Sequence, residues 1–318
     1  MISTLHQFVR LLLPAALAAA LPLHAAPFAY VPNEGSGTVT VIDTASDLVV
    51  AQIPAGSKPR GLAAGLDRRW LYVSDQPNNR LQLIDLVARK PAGTVPLGES
   101  PEGVSISADG RWVVAAVEGR NAVVFTDTRS NTQAFAITVQ GKNPEHAVFS
   151  PDGRLVFVSA EEGDAVDIVD FAQRKQVAQV AIGARPRGIG FLPDSSRAYV
   201  ATENSNEVFV IDTHSYAIVA RIQAGLRANG IAVHPDGSRV YVSNGGAASV
   251  SVIDTASNQV IATVAAGERP WNMALTPDGT KLYVANGRAN SVSVIDTVHN
   301  VKLRDVAVGK LPWGVVIR

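Results

Sequence analysis

The sequence predicts an all-β fold, a seven-bladed β-propeller with four antiparallel strands in each blade. One observation is an aspartate that recurs every 42 or 43 residues: Asp43, Asp85, Asp127, Asp170, Asp212, Asp254 and Asp296. The other is that each period contains four short stretches in which apolar and polar residues alternate, as in β-strands. A period of about 42 residues with four strands is typical of a propeller blade.

Two further sets of residues recur with the same period. Each of the three sets, including the first set of aspartates, is here called a ladder. The second ladder of aspartates comprises Asp67, Asp109, Asp152, Asp194, Asp236 and Asp278. A proline ladder comprises Pro59, Pro101, Pro144, Pro186, Pro270 and Pro312, with Ala228 in its one gap. Three ladders in one register identify a single repeating unit over residues 26–318, and we expect this segment to be one propeller domain.

The four strands can be read directly in the fifth period. They are "GIAVH", "RVYVS", "SVSVID" and "QVIATVAA", separated by the turn sequences "PDGS", "NGGAA" and "TASN". The stretch "SVSVIDT" occurs at 249–255 and again at 291–297. Its aspartate ends the third strand, where the carboxylate is expected to accept hydrogen bonds from turn amides. Seven separated copies cannot converge on one ligand, so this aspartate is predicted to be structural.

The two ends of the repeat predict how the ring closes. The segment "FAYV" at 28–31 reads as a second strand, and "GVVIR" at 314–318 reads as a first strand. The terminal blade should therefore join one C-terminal strand to three N-terminal strands. Such an arrangement leaves no open sheet edge between the first and last blades.

The first 25 residues read as a cleaved signal peptide. Arg10 precedes an apolar run at 11–23, and Ala25 suits the cleavage site. The run contains two prolines and is shorter than the ~20 residues needed to cross a bilayer, so no membrane span is expected. The predicted location is the periplasm. The chain has no cysteine, so no haem attachment site or disulfide is expected, and no cofactor is predicted.

The charge balance argues against a polyanionic partner. The chain carries 28 basic and 28 acidic residues, so no global field attracts nucleic acid. Metal binding is not predicted either. The histidines of the repeat region are His146, His214, His234 and His299, and they lack the clustering of a zinc site.

The segments "LYVSDQPNN", "VYVSNGGAA" and "LYVANGRAN", with "TPDGTKLYV" and "VIDT", resemble the YVTN-repeat family of propellers. The sequence is most similar to the periplasmic PQQ-dependent catabolism-associated β-propeller proteins. This resemblance implies a role beside pyrroloquinoline-quinone alcohol oxidation, with a periplasmic quinoprotein dehydrogenase as partner. The chain does not resemble the dehydrogenases themselves, which have eight blades and tryptophan-rich docking repeats. A monomer is expected.

In propellers of this kind the first strand of each blade lines the central channel, and blades differ where specificity resides. Most blades have glycine two residues after the ladder proline, but His146 and Asn272 occupy this position in two of them. The predicted ligand-binding residues around the channel mouth are Arg60, His146, Arg185, Arg187, Arg227, Arg269, Trp271, Asn272 and Trp313. These side chains could hold a small anionic molecule. Alternatively, the basic residues pair with Glu34, Glu118, Glu161 and Glu203.

Three functional hypotheses follow. The first is a non-enzymatic binding or scaffold propeller that is an accessory to PQQ-dependent alcohol oxidation. The second is a lactonase- or lyase-type enzyme, in which His146, Glu145, Arg187 and Glu161 would be catalytic. The third is binding of single-stranded nucleic acid by arginine and tryptophan side chains, which the neutral net charge disfavours.

Overall fold

The computed structural model describes residues 26–318, which form seven four-stranded antiparallel sheets arranged as blades. The predicted signal peptide, residues 1–25, lies outside the described residues. The described part of the chain contains no helix long and apolar enough to cross a membrane. Its helical content is two single 3₁₀ turns, at Gln76–Asn78 and Glu118–Arg120.

The strands follow the repeat closely. Blade 1 begins with β1 (Phe28–Asn33), β2 (Thr38–Asp43) and β3 (Leu48–Pro54). Blade 2 comprises β4 (Pro59–Ala64), β5 (Trp70–Asp75), β6 (Arg80–Asp85) and β7 (Lys90–Pro96). Blade 3 comprises β8 (Pro101–Ile106), β9 (Trp112–Val117), β10 (Ala122–Asp127) and β11 (Thr132–Thr138). Blade 4 comprises β12 (Pro144–Phe149), β13 (Leu155–Ala160), β14 (Ala165–Asp170) and β15 (Lys175–Ala181).

The remaining blades continue this pattern. Blade 5 comprises β16 (Pro186–Phe191), β17 (Arg197–Thr202), β18 (Glu207–Asp212) and β19 (Ile218–Gln223). Blade 6 comprises β20 (Ala228–Val233), β21 (Arg239–Asn244), β22 (Ser249–Asp254) and β23 (Gln259–Ala265). Blade 7 comprises β24 (Pro270–Leu275), β25 (Lys281–Asn286), β26 (Ser291–Asp296) and β27 (Val301–Ala307). The last strand, β28 (Val316–Ile317), completes blade 1.

Ring closure occurs as predicted from the two ends of the repeat. The order in blade 1 is β28-β1-β2-β3, and β28 pairs antiparallel with β1. The amide of Trp313 donates to the carbonyl of Pro32 at 2.9 Å, and Arg318 and Phe28 exchange backbone hydrogen bonds at 2.9 Å. The C-terminal segment therefore covers the edge that β1 would otherwise expose.

The repeated "SVSVIDT" stretch is explained by hydrogen bonds within a blade. In blade 6, the side-chain amide of Asn244 at the end of β21 donates to the hydroxyls of Ser249 and Ser251, at 3.1 and 2.9 Å. Blade 7 repeats this arrangement with its own asparagine and serines. Asp254, which ends β22, accepts a hydrogen bond from the turn amide of Ser257 at 2.8 Å. The motif fixes a strand pair and its turn, in agreement with the predicted structural role.

The hydrophobic core lies between blades. Each cluster combines the facing sides of two neighbouring sheets, for example Val39 and Val41 of blade 1 with Leu71 and Val73 of blade 2. The large tyrosines of the second strands are fully buried there. Burial of this much aliphatic and aromatic surface is the main stabilising contribution in a chain without cysteine.

Three of these tyrosines also connect successive blades through their hydroxyls. Tyr72 donates to Asn131 of the next blade at 3.0 Å, and Tyr199 donates to Asn258 at 3.0 Å. Tyr283 donates to Asp47 across the junction of blades 7 and 1. The tyrosine of the repeat therefore contributes both apolar contact and a directional bond between blades.

The first strands of the blades lie closest to the axis and contact one another around the ring. Glycine permits this approach. A Cβ atom at Gly61 would lie 2.3 Å from the carbonyl oxygen of Glu102 in the next blade, and one at Gly230 would lie 2.5 Å from that of Trp271. Because no side chain fits there, the two exceptions to glycine at this ring position, His146 and Asn272, mark an altered part of the channel.

Candidate functional site

One end of the channel opens into a cavity of about 250 Å³, here called the mouth cavity. It lies where the loop entering each first strand meets the loop between the second and third strands. Ten of the residues predicted at the site line it: Arg60, Glu145, His146, Glu161, Arg185, Arg187, Arg269, Trp271, Asn272 and Trp313. The predicted residue Arg227 is not among the lining residues and has a half-exposed side chain at the rim.

An aromatic pair forms the floor of the mouth cavity. The imidazole of His146 stacks on the indole of Trp313, with ring centroids 5.3 Å apart and planes inclined by 22°. His146 belongs to blade 4, and Trp313 precedes β28 of blade 1, so the two rings meet across the channel. A second cavity of about 140 Å³ lies beneath and is also lined by His146 and Trp313. The pair therefore divides the channel.

The environment of His146 differs from that of an acid–base catalyst. Both ring nitrogens are inaccessible and have no hydrogen-bond partner among the described residues, whereas its backbone amide donates to Ser159 at 3.1 Å. Burial and the positive charge of Arg187 lower the pKa of His146 to about 3. The imidazole is therefore neutral near pH 7 and a weak base. The observed contact of the ring is aromatic stacking on Trp313, and the backbone amide of His146 is hydrogen-bonded to Ser159 in the neighbouring strand β13.

The arginines of blade 5 are engaged in a network of ion pairs. Arg187 contacts Glu145, Glu161 at 3.0 Å and Glu203 at 3.0 Å, and Arg185 contacts Glu161 and, at 3.3 Å, Glu203. Of the two arrangements considered from the sequence, the structure shows these arginines paired with glutamates.

Glu203 is the buried centre of this network. Arg269 of blade 7 donates to its carboxylate at 2.7 Å. Burial alone would raise the pKa of Glu203, but the charges and hydrogen bonds of Arg187 and Arg269 lower it. Glu203 is therefore an ionised anchor that fixes arginines contributed by two separate blades.

Not every arginine donor is used. The Nε of Arg60 and the Nη1 of Arg269 are buried and have no hydrogen-bond partner among the described residues. Both side chains line the mouth cavity. A buried charged donor without an acceptor is costly, so a ligand oxygen that reached either group would satisfy it.

The adjacent wall of the cavity, on blades 3 and 4, carries glutamates, two of which pair with Arg187. Carboxylate oxygens of Glu118, Glu145 and Glu161, here called the acidic cluster, lie within 4.8 Å of one another. Burial and the negative charge of Glu145 raise the pKa of Glu161. Glu118 accepts a hydrogen bond from the Ser100 hydroxyl at 2.6 Å.

Behind the acidic cluster lies Glu102, which is wholly buried and paired with Arg60. Burial and the nearby charge of Glu145 raise the pKa of Glu102 to about 9, although Arg60 opposes the shift. The sequence displays Glu102 and Glu145 at the same ring position of adjacent blades. Their one-repeat spacing is the signal from which this proximity could have been predicted.

In blades 6 and 7, small loop residues make room for large side chains, a relationship that was not predicted from the sequence. Blades 6 and 7 have Gly245 and Gly287 in the loop position where other blades carry long side chains. A Cβ atom at Gly287 would lie 2.8 Å from the ring of Trp271, and one at Gly245 would lie 3.0 Å from Nη1 of Arg269. The glycines therefore leave the space that the Trp271 and Arg269 side chains occupy.

Comparison with known proteins identifies the fold and a family. A family model described as YNCE-like beta-propeller matches residues 7–318. A search of curated proteins found no match. Among solved structures, a chain of Kuenenia stuttgartiensis hydrazine synthase superposes with a TM-score of 0.79 at 21% identity, covering 89% of this chain and 99% of that one.

Two other solved structures are similar. One is a functionally unknown protein from Desulfotomaculum acetoxidans, with a TM-score of 0.80 at 18% identity, covering 91% of this chain and 98% of that one. The other is a Bacteroides uniformis protein proposed to be a 6-phosphogluconolactonase, with a TM-score of 0.76 at 19% identity, covering 92% and 100%. At these identities the similarity concerns the fold alone.

Proposed function

We propose that this chain, which belongs to the YNCE-like beta-propeller family, is a binding protein that holds a small organic anion in the mouth cavity. On this proposal it acts in the periplasm, after removal of residues 1–25, as an accessory to PQQ-dependent alcohol oxidation. Its partner would be a quinoprotein dehydrogenase. The resemblance of its repeats to the PQQ-associated propellers supports this context, and the mouth cavity supports the binding role.

The observation that carries the binding role is the pair of unused arginine donors in a closed-ended cavity. Arg60 Nε and Arg269 Nη1 are buried without acceptors among the described residues, and the stack of His146 on Trp313 closes the cavity below them. A carboxylate could accept hydrogen bonds from these donors while the arginines keep their glutamate partners. Charge-assisted bonds of this kind are about twice as strong as neutral ones.

The size of the cavity limits the ligand. About 250 Å³ lies below the roughly 300–1,000 Å³ typical of sites for drug-sized ligands. An organic acid of a few carbon atoms fits this volume better than a tricarboxylated quinone. Trp271 offers an indole surface to the apolar part of such a ligand. Short-chain carboxylic acids are end products of alcohol oxidation, which agrees with the proposed context.

The enzyme alternative has one observation in its favour. Glu161 has a raised pKa and contacts Arg187 at 3.0 Å, a combination that a general acid beside a substrate carbonyl would use. Against this, the imidazole of His146 is neutral, stacked and without a partner among the described residues. The binding role requires no further catalytic group and is therefore preferred.

Calorimetry with a panel of mono-, di- and tricarboxylates tests the proposal. We expect one ligand to bind per chain, and Arg269→Gln to weaken it at least tenfold. Arg227→Gln, a matched change at the half-exposed rim, should leave affinity within about twofold. Native mass spectrometry of protein purified from its own periplasm would identify the natural ligand by mass.

Two results would overturn this function. One is that none of the carboxylates binds, or that both arginine variants weaken binding equally, which would indicate a diffuse field rather than a site. The other is turnover of a lactone at a rate lost in Glu161→Gln, which would establish the enzyme alternative.

A further inference from the structure

Three asparagine side chains line the mouth cavity in addition to its charged residues. They are Asn143, which precedes β12 of blade 4, Asn229 of blade 6 and Asn272 of blade 7. A side-chain amide both donates and accepts hydrogen bonds, whereas a guanidinium only donates and an ionised carboxylate only accepts. Three amides around one small cavity therefore suit a ligand whose own groups both donate and accept.

Asn229 is buried, and its amide is unused. The residue is 4% exposed, and its side-chain amide takes part in no hydrogen bond within residues 26–318. It occupies the ring position that carries Arg187 in blade 5 and Trp271 in blade 7, and all three side chains line the mouth cavity. A buried amide without a partner is costly, so a ligand group that reached it would satisfy it.

The other two asparagines have hydrogen-bonding capacity left as well. The side-chain amide of Asn143 makes no hydrogen bond with the rest of the described chain. Asn272 donates one long hydrogen bond, at 3.4 Å, from its Nδ2 to the carbonyl of Trp313. Its Oδ1 accepts none from the described residues. The uncharged polar groups of the cavity are therefore almost entirely free.

Glu118 adds an acceptor on the far wall of the cavity. It comes from the 3₁₀ turn of blade 3, and in a ring of seven blades this blade lies across from blades 6 and 7. Its Oε2 accepts a hydrogen bond from the Ser100 hydroxyl at 2.6 Å. Glu118 has no ion pair among the described residues, unlike its neighbours Glu145 and Glu161. Its Oε1 therefore remains for a hydroxyl donor on a ligand.

The two walls differ in charge, which orients a ligand between them. Nη1 of Arg269 is buried without an acceptor in the described part of the chain, so the carboxylate of a ligand belongs on that side. A second carboxylate at the other end would meet Glu118, and the like charges would repel each other. A hydroxyl group at that end would donate to Glu118 instead.

We infer that the ligand of the mouth cavity is a polyhydroxy monocarboxylate, a short chain with one carboxylate and hydroxyl groups along the remainder. This inference rests on the proposed function, the binding of a small organic anion, and specifies the class of anion. Arg269 holds the carboxylate, and Asn229 and Glu118 bind hydroxyl groups. A site built to hydrogen-bond hydroxyls rejects an analogue that lacks them, because its polar groups are then left unpaired.

Calorimetry with matched sets of acids on residues 26–318 tests the class of ligand. At four carbon atoms the set is threonate, butyrate and succinate, and at six it is gluconate, hexanoate and adipate. Each set compares a polyhydroxy monocarboxylate, a plain monocarboxylate and a dicarboxylate of one chain length. We expect the polyhydroxy acid to bind at least tenfold more tightly than the other two at the chain length that fits the cavity.

A matched pair of variants tests the acceptor on the far wall. Glu118→Leu removes the acceptor together with a negative charge. It should weaken the polyhydroxy acid at least tenfold, whereas the plain acid should bind as before or more tightly. Glu162→Leu makes the same change at an exposed position of the blade 4 loop that does not line the cavity, and all affinities should stay within about twofold.

Asn229→Leu replaces the amide by an apolar group of similar size and should weaken the polyhydroxy acid more than the plain acid. Thermal melts and circular dichroism verify that the three variants are folded. A variant that has lost its fold is replaced by Glu118→Gln or Asn229→Ser, for which the same order of effects is expected.

Three results would overturn the proposed class. The first is that the plain acid or the dicarboxylate binds as tightly as the polyhydroxy acid at both chain lengths. The second is that Glu118→Leu and Glu162→Leu weaken the polyhydroxy acid equally. Both results leave the proposed anion-binding function in place. The third is that no acid of either set binds, which would overturn that function as well.

Discussion

The imidazole of His146 and the indole of Trp313 stack across the channel with their ring centroids 5.3 Å apart. The backbone amide of Trp313 donates a hydrogen bond to the carbonyl of Pro32 in blade 1. The residue that closes the ring is therefore also the floor of the mouth cavity. The depth of the cavity and the closure of the ring therefore depend on the same C-terminal segment, residues 312–318. This relationship gives the first of four predictions.

His146→Phe should make the protein more resistant to acid. The folded state lowers the pKa of His146 from 6.5 to about 3, so the unfolded chain binds a proton there that the folded chain does not. Stability is therefore present above pH 6.5 and is lost as pH falls toward 3, by up to about 1.4 kcal/mol per pH unit. Phenylalanine keeps an aromatic ring against Trp313 and cannot titrate. Thermal melts from pH 7 to pH 4 measure the difference.

His214→Asn is the control for this prediction. His214 lies in an exposed turn between β18 and β19, and its replacement should leave the acid response as in the wild type. If His146→Phe and the wild type lose stability in parallel between pH 6 and 4, the imidazole is protonated in the folded state and the proposed environment of His146 is wrong.

Glu102→Gln should change the alkaline side of the stability profile. The pKa of Glu102 is raised from 4.5 to about 9 in the folded state, so the folded chain retains a proton that the unfolded chain releases. Stability from this group is full below pH 4.5 and is lost as pH rises through 9. The glutamine variant should lack this decline, with a difference on the order of a few kcal/mol by pH 9.

Denaturant melts of both proteins from pH 5 to pH 9 provide the measurement. A pH-independent difference between the two proteins would mean that Arg60 keeps Glu102 ionised throughout.

The periodicity of the sequence was sufficient to predict the fold, because each ladder residue performs a local task that recurs in each blade. The glycine-rich ring, the turn aspartates and the closing strand are of this kind. The residues around the mouth were also predicted, because the positions that face the axis are fixed by the same register. Pairing of the arginines with glutamates was only one of two alternatives at that stage, and Glu102 and Glu145 were not among the partners named, because the register fixes which positions face the axis but not which side chains pair.

Particular residues show this limit. His146 and Trp313 are three blades apart around the ring, so no ladder relates their side chains. Glu102 and Glu145 share one ring position, yet the effect of burial on Glu102 depends on how closely Arg60 and the neighbouring blade pack around it. Trp271 and Gly287 both differ from the residues that most other blades carry at the same repeat positions, and both lie in blade 7. The sequence shows the two differences but does not show that the glycine makes room for the tryptophan.

Tyr199→Phe should destabilise the propeller by about 1 kcal/mol, because it removes the hydrogen bond from Tyr199 to Asn258 of the next blade. Tyr241→Phe is the matched control, since the buried hydroxyl of Tyr241 has no partner among the described residues. That variant should be neutral or slightly stabilising. Denaturant titration measures both, and equal losses in the two variants would contradict a specific role for the bond between blades.

Deletion of residues 312–318 should open the ring and lower the melting temperature by more than any single substitution considered above. The deletion removes β28 and exposes the paired edge of β1, and it also removes the buried side chains of Trp313 and Val315.

Trp313→Ala isolates the second effect, the loss of a buried side chain. Replacing a buried tryptophan by alanine costs about 3–5 kcal/mol, which corresponds to about 5–8 °C for a domain of this size. Because the truncated chain loses the backbone bonds of closure as well, it should melt below Trp313→Ala and elute earlier in gel filtration through pairing of its exposed β1 edges. A truncated protein with the wild-type melting temperature would show that closure by β28 does not stabilise the ring.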